Sequence, residues 1–125
     1  MSDRPRVLVV EDEWLIAEDT ASRLGAAGYP VIGPVPSVAA ALQLIDADKV
    51  DVALLDIHLN GETSLPIAET LLARGTPFAF VTGFGRRDVP PPFRSCKFVT
   101  KPASDDAILT TVADLASLRV AKNQL

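Results

Sequence analysis

The chain has 125 residues, 48% hydrophobic and 22% charged, with a formal net charge of −4. This fits one soluble globular domain that needs no disulfide or structural zinc, and no apolar run is long enough to cross a bilayer. A single cysteine and a single histidine exclude an internal disulfide and a Cys/His zinc site, and the acidic balance argues against sequence-independent binding to nucleic acid.

Arg4 and Arg6 precede only the four-residue apolar run Val7-Leu8-Val9-Val10 before Glu11 interrupts it, which is not the pattern of a secretory segment. The expected location is the cytoplasm. Residues 7 to 10 read as a buried parallel strand, continuous in β-branched residues and leucine. Ile16, Ala17, Ala21 and Leu24 then recur at helical spacing from about Glu13 to Ala27, with acids in the first turn and Gly28 as the stop.

Tyr29 to Val35 reads as a second strand, and Pro30 and Pro34 place it at a sheet edge. Ser37 is a suitable N-cap for a helix carrying Ala40, Ala41, Leu44 and Ile45, ending before Asp48. Val50 to Asp56 forms a third strand, and Asn60-Gly61 marks a turn. Ser64 can cap a third helix, with Pro66 in its first turn and Gly75 closing it. Pro77 to Thr82 is the fourth strand.

Between Gly83 and Ser95 lie two glycines and Pro90-Pro91-Pro92, so the fourth helix is predicted short or irregular. Arg86, Arg87, Arg94, Lys97 and Lys101 make this end locally basic. That is read as a solvated or protein-docking face rather than a DNA-binding one. Lys97 to Thr100 is the fifth strand, and Ser104 caps a last helix with Ile108, Leu109, Val112, Leu115 and Leu118 on one face. The alternation predicts an α/β single domain, a doubly wound parallel sheet of five strands with helices on both faces.

Four of the apolar runs stop at residues suited to phosphate chemistry: Glu11 and Asp12, Asp56, Thr82, and Lys101. If the runs are neighbouring parallel strands, these side chains gather at the sheet edge where open α/β sheets bind ligands. Crowded carboxylates repel unless a cation separates them, and Mg²⁺ suits a site of few carboxylates that leaves positions for water and phosphate.

VLVVEDE at 7 to 13, LLDIHLNGE at 54 to 62, VTG at 81 to 83 and FVTKP at 98 to 102 together resemble a response-regulator receiver domain over essentially the whole chain. The resemblance implies a flavodoxin-like sheet of order 2-1-3-4-5, a bacterial two-component phosphorelay, and Asp56 as acceptor of a phosphoryl group from a sensor histidine kinase or a histidine phosphotransfer protein. It implies Mg²⁺ held by Glu11, Asp12, Asp56 and the backbone carbonyl of His58. Lys101 and Thr82 would contact the phosphoryl oxygens, and Phe98 would move with Thr82 as a switch. The bond between Lys101 and Pro102 is typically cis in that family.

TPFAFVTGFG at 76 to 85 is also similar to the Pro-Phe-x-Phe-Ala-Thr-Gly signature of the stand-alone FAT GUY regulators, with Val81 in place of alanine. That group implies a kinase of the HWE type, general stress signalling, no output domain, and a role as phosphate sink or protein-binding switch. Oligomeric state is left open between a monomer and a phosphorylation-linked dimer. His58 and Phe84 stand where the family's side chains tune phosphoryl lifetime. Asn60 replaces the usual proline, so a looser loop is expected there.

Each residue also has a plainer reading. Asp56 alone would be an ordinary strand-end carboxylate, Thr82 a turn cap, Lys101 a surface lysine, His58 a solvated side chain and Phe98 core. Trp14 reads as packing and Cys96 as inert. The competing functions are a pseudo-receiver that binds protein without phosphorylation, and an aspartyl-nucleophile phosphatase. The second lacks an acid two residues after Asp56, where His58 stands. Nucleotide and flavin sites lack their glycine-rich motifs. The chain is thus expected to be no enzyme toward other substrates, although a receiver promotes its own phosphorylation and dephosphorylation.

Overall fold

The computed structural model describes residues 4–83, 87 and 89–123, with residues 119–123 described by backbone alone. The elements are β1 (Val7–Val10), α1 (Trp14–Ala26), β2 (Val31–Val35), α2 (Val38–Ala47), β3 (Val52–Asp56), β4 (His58–Leu59), β5 (Glu62–Thr63), α3 (Leu65–Arg74), β6 (Phe78–Thr82), β7 (Lys97–Thr100) and α4 (Asp105–Asn123). The main sheet is parallel, in the order β2-β1-β3-β6-β7. Counted along the chain, that is the predicted 2-1-3-4-5.

Strand periodicity sorts the core into two layers. Successive strand residues face opposite sides of a sheet. Leu8, Val10, Ala53, Leu55 and Phe80 accordingly pack with Ala41 and Ile45 of α2 and Ile67, Ala68 and Leu71 of α3. Val7, Val9, Val52, Leu54, Ala79 and Val99 pack with Leu24 of α1 and Ile108, Val112 and Leu115 of α4. β1 and β3 are buried throughout, as a strand covered on both faces requires. Each fully buried Leu or Val contributes roughly 1.5–3 kcal/mol relative to exposure.

β2 lies at the edge, as its prolines predicted. Gly33 there has φ 91, and a Cβ on it would stand 2.9 Å from Val35 N and 3.2 Å from Val9 O, so glycine is required where the register slips between Leu8 and Val10. Ser37 Oγ accepts from Ala40 N–H as the α2 cap, and Gly75 closes α3 in the left-handed region at φ 72.

The structure corrects four expectations. α1 begins at Trp14 with no acid in its first turn, since Glu11, Asp12 and Glu13 all precede it, and Glu11 accepts the Glu13 N–H at 3.1 Å. Ser64 occupies the N-cap of α3 but its side chain caps nothing, its φ of −82° and ψ of 5° lacking the extended geometry that aims a cap oxygen at the first turn. Trp14 is 70% exposed rather than packed, since it opens α1 on the helix's outer side. The segment at Asn60-Gly61, expected only as a turn in a loop, closes an antiparallel hairpin of β4 with β5 at φ 48 and φ 91.

Between β6 and β7 the described residues hold a 3₁₀ turn, Pro91–Phe93, and no α-helix. The run of prolines cannot donate helical hydrogen bonds. Buried Phe93 stands in for a helix face by packing edge-on against Phe80, with centroids 6.1 Å apart.

Candidate phosphoryl and metal site

Strand register carries the predicted residues to one edge. Val10 pairs with Leu55, Asp56 with Val81, and Thr82 with Thr100, so the chain positions just past these pairs are neighbours in space. Those positions hold Glu11, Asp12 and Lys101. A hydrogen bond from the Lys101 N–H to the Thr82 carbonyl, 2.8 Å, extends the ladder by one residue and sets where the lysine leaves the sheet. The peptide bond between Lys101 and Pro102 is cis, as the family pattern implied.

Lys101 Nζ lies 2.9 Å from Glu11 Oε1 and 3.0 Å from Asp56 Oδ2. Carboxylate oxygens of Glu11, Asp12 and Asp56 come within 4.8 Å of one another, a span that one cation can bridge. Glu11 is 6% and Asp56 9% exposed, so mutual repulsion is weakly screened by water. Burial, then the contact with Asp56, pushes the Glu11 carboxyl up to about 7, although Lys101 and the Glu13 N–H pull the other way. Burial by itself would lower the Lys101 ammonium, but hydrogen bonds and charge from Glu11 and Asp56 outweigh it and hold its pKa above the ordinary value.

Thr82 is buried at the end of β6, one residue beyond the strand position opposite Asp56. Phe98 pairs with Phe80 across β6 and β7, their rings 5.5 Å apart, and is half-buried against the α2/α3 layer. His58 is exposed at the start of the hairpin. In a two-residue hairpin the closing pair, here Leu59 and Glu62, exchanges the ladder bonds, so the His58 backbone carbonyl is directed out of the hairpin. Phe84 lies outside the described residues.

Sequence reasoning did not single out two contacts. The Asn60 N–H donates to Asp12 Oδ2 at 2.9 Å, and the Val38 N–H donates to Glu62 Oε2 at 3.1 Å. Only the departure from proline at position 60 signalled that an extra donor exists there.

This architecture is shared with known proteins. Residues 7–113 match the response regulator receiver domain family. The transcriptional regulatory protein PdtaR of Mycobacterium tuberculosis is 31% identical over 85 residues, 67% of this chain and 42% of that protein. The chain thus spans less than half the length of that relative. Among solved structures, SdrG from Sphingomonas melonis Fr1 superposes with a TM-score of 0.80 at 38% identity, covering 92% of this chain and 98% of that one. The BeF3-activated conformation of SdrG from Pseudomonas melonis Fr1 superposes with a TM-score of 0.77 at 38% identity, covering 93% of this chain and 99% of that one. No helix among the described residues is long and apolar enough to cross a membrane. With the match running from β1 into α4 and the acidic cluster at the expected edge, the chain belongs to the response regulator receiver domain family of two-component signalling.

Proposed function

We propose that Asp56 is the phosphoacceptor of a two-component relay, with Glu11 and Asp12 as companions holding Mg²⁺. The carrying observation is the ammonium of Lys101 set between Glu11 and Asp56. One carboxylate oxygen of Asp56 attacks phosphorus in a phosphohistidine, the P–N bond breaks, and its electron pair returns to the imidazole. Mg²⁺ held by Glu11, Asp12 and Asp56 would supply neutralisation of the negative charge that gathers on the transferring oxygens. Positioning and electrostatics carry most of such a transfer.

Glu11, Asp12 and Asp56 offer the hard oxygen donors that Mg²⁺ favours, and the backbone carbonyl of His58 would supply a further position. Lys101 is poised to exchange a carboxylate for a phosphoryl oxygen once Asp56 is modified. The Thr82 hydroxyl then donates to another phosphoryl oxygen, and Phe98, on the adjacent strand, follows that shift to change the surface a downstream protein meets. His58 and Phe84 modulate access of water to the phosphoryl group.

The donor is a sensor histidine kinase, of HWE type by the FAT GUY likeness, or a histidine phosphotransfer protein, in the cytoplasm. The role in stress signalling, as sink or switch, rests on that likeness alone. Incubation with acetyl phosphate and Mg²⁺ should add one acid-stable, base-labile phosphoryl group by intact mass, absent in Asp56→Asn and without Mg²⁺. An unmodified wild-type chain would overturn this reading.

A further inference from the structure

The β4–β5 hairpin is fastened at both ends of its loop. On one side the Asn60 N–H donates to Asp12 Oδ2 at 2.9 Å, and on the other Glu62 Oε2 accepts the Val38 N–H at the start of α2, 3.1 Å away. Ser64 N–H to Ile57 O, 2.9 Å, closes the base. Two strands of two residues are marginal alone in water, so the hairpin depends on such anchors. Glu62 meets a helix N-terminus, where a carboxylate gains from both the unpaired N–H groups and the helix dipole.

We infer that this hairpin is a strut holding Asp12 in the orientation of a metal ligand, with Asn60 and Glu62 as positioning residues. The inference rests on the Mg²⁺ reading proposed above. Asp12 follows β1 in a bend and is half-buried, whereas Glu11 and Asp56 are buried, so packing holds Asp12 less firmly. The Asn60 amide restrains one oxygen of Asp12 and leaves the remaining lone pairs for a cation. Metal-ligating carboxylates are in general held by such outer hydrogen bonds. The donor exists because position 60 is not proline, which has no N–H to give. Asn60 at φ 48 and Gly61 at φ 91 form the loop geometry that delivers that N–H to Asp12.

Mg²⁺ titration followed by Trp14 fluorescence, with the Asn60 amide followed by NMR, tests the strut. Asn60→Pro removes that N–H and cannot hold φ 48, so it should weaken Mg²⁺ binding about tenfold or more. Glu62→Ala, which leaves the loop and the metal ligands in place, should weaken it about threefold to tenfold and speed hydrogen exchange at Asn60. Glu62→Gln keeps an acceptor and should restore binding. A purely structural hairpin would lower the melting temperature in Glu62→Ala while leaving the Mg²⁺ dissociation constant at the wild-type value, and that result overturns the inference. Absence of saturable Mg²⁺ binding by the unsubstituted chain overturns the metal reading and the strut with it.

Discussion

Lys101 Nζ sits 3.0 Å from Oδ2 of Asp56 although 45 residues separate them in the chain. The same ammonium is shared with Glu11 at 2.9 Å, so one cation balances two carboxylates at a poorly hydrated edge. Removing it in Lys101→Met leaves both without a counter-ion. Breaking a fully buried pair costs about 3–5 kcal/mol, and because Lys101 is 23% exposed a loss of about 2 kcal/mol is expected for the metal-free chain at pH 7.5. Mg²⁺ should stabilise the variant more than the parent. Urea unfolding with and without Mg²⁺ checks both, and an unchanged midpoint would remove Lys101 from the charge balance.

The Glu11 carboxyl titrates near 7 when folded against 4.5 for a free side chain, so the folded state binds the extra proton across that window. Stability of the metal-free chain should therefore be fully present below about pH 4.5 as far as Glu11 is concerned, and fall as pH rises through 7, by at most about 3 kcal/mol. Glu11→Gln should flatten this slope. A proton on Glu11 competes with metal, so apparent Mg²⁺ affinity should rise about tenfold from pH 6 to pH 8. Equal affinities at the two pH values would contradict the burial argument.

Ser64 Oγ is buried with no hydrogen-bond partner among the described residues. Replacing an unsatisfied buried hydroxyl with a methyl group removes a desolvation cost, and Ser64→Ala should stabilise the fold by about 1 kcal/mol. A thermal melt showing destabilisation would mean that the hydroxyl is satisfied.

Phe80 lies at the centre of the aromatic cluster, 5.4 Å from Phe78, 6.1 Å from Phe93 and 5.5 Å from Phe98 between ring centroids. Phe80→Ala should cost about 3–5 kcal/mol through lost burial and the cavity left behind. Its second consequence is specific to position: with Phe93 and Phe98 losing a shared neighbour, the segment between β6 and β7 should exchange amide protons faster than β1 or β3. Uniform acceleration across the sheet would show that Phe80 supports the core without favouring that segment.

The strands were legible because both faces of the sheet are covered, which makes β1 and β3 continuous apolar runs that no helix period interrupts. Pro30 and Pro34 marked β2 as an edge, and Pro90 to Pro92 marked the crossover that forms no α-helix among the described residues. Those residues act through their own backbone, so their meaning does not depend on distant partners. The hairpin was less legible, since strands of two residues offer no periodicity and only Asn60-Gly61 announces the loop. Trp14 was misjudged because a large aromatic normally packs, and nothing local to the start of α1 says which side of the helix faces out.

Sequence by itself determined the alternation of strand and helix, the chemical inventory of Glu11, Asp12, Asp56, Thr82 and Lys101, and their place at strand ends, because these follow from side-chain chemistry and short-range period. Only tertiary structure decided that Lys101 divides itself between Glu11 and Asp56, that burial lifts Glu11, and that Asn60 and Glu62 tie the hairpin to Asp12 and α2. Hydrogen bonds and desolvation depend on distances between residues remote in the chain, and sheet register sets those distances to a fraction of an ångström.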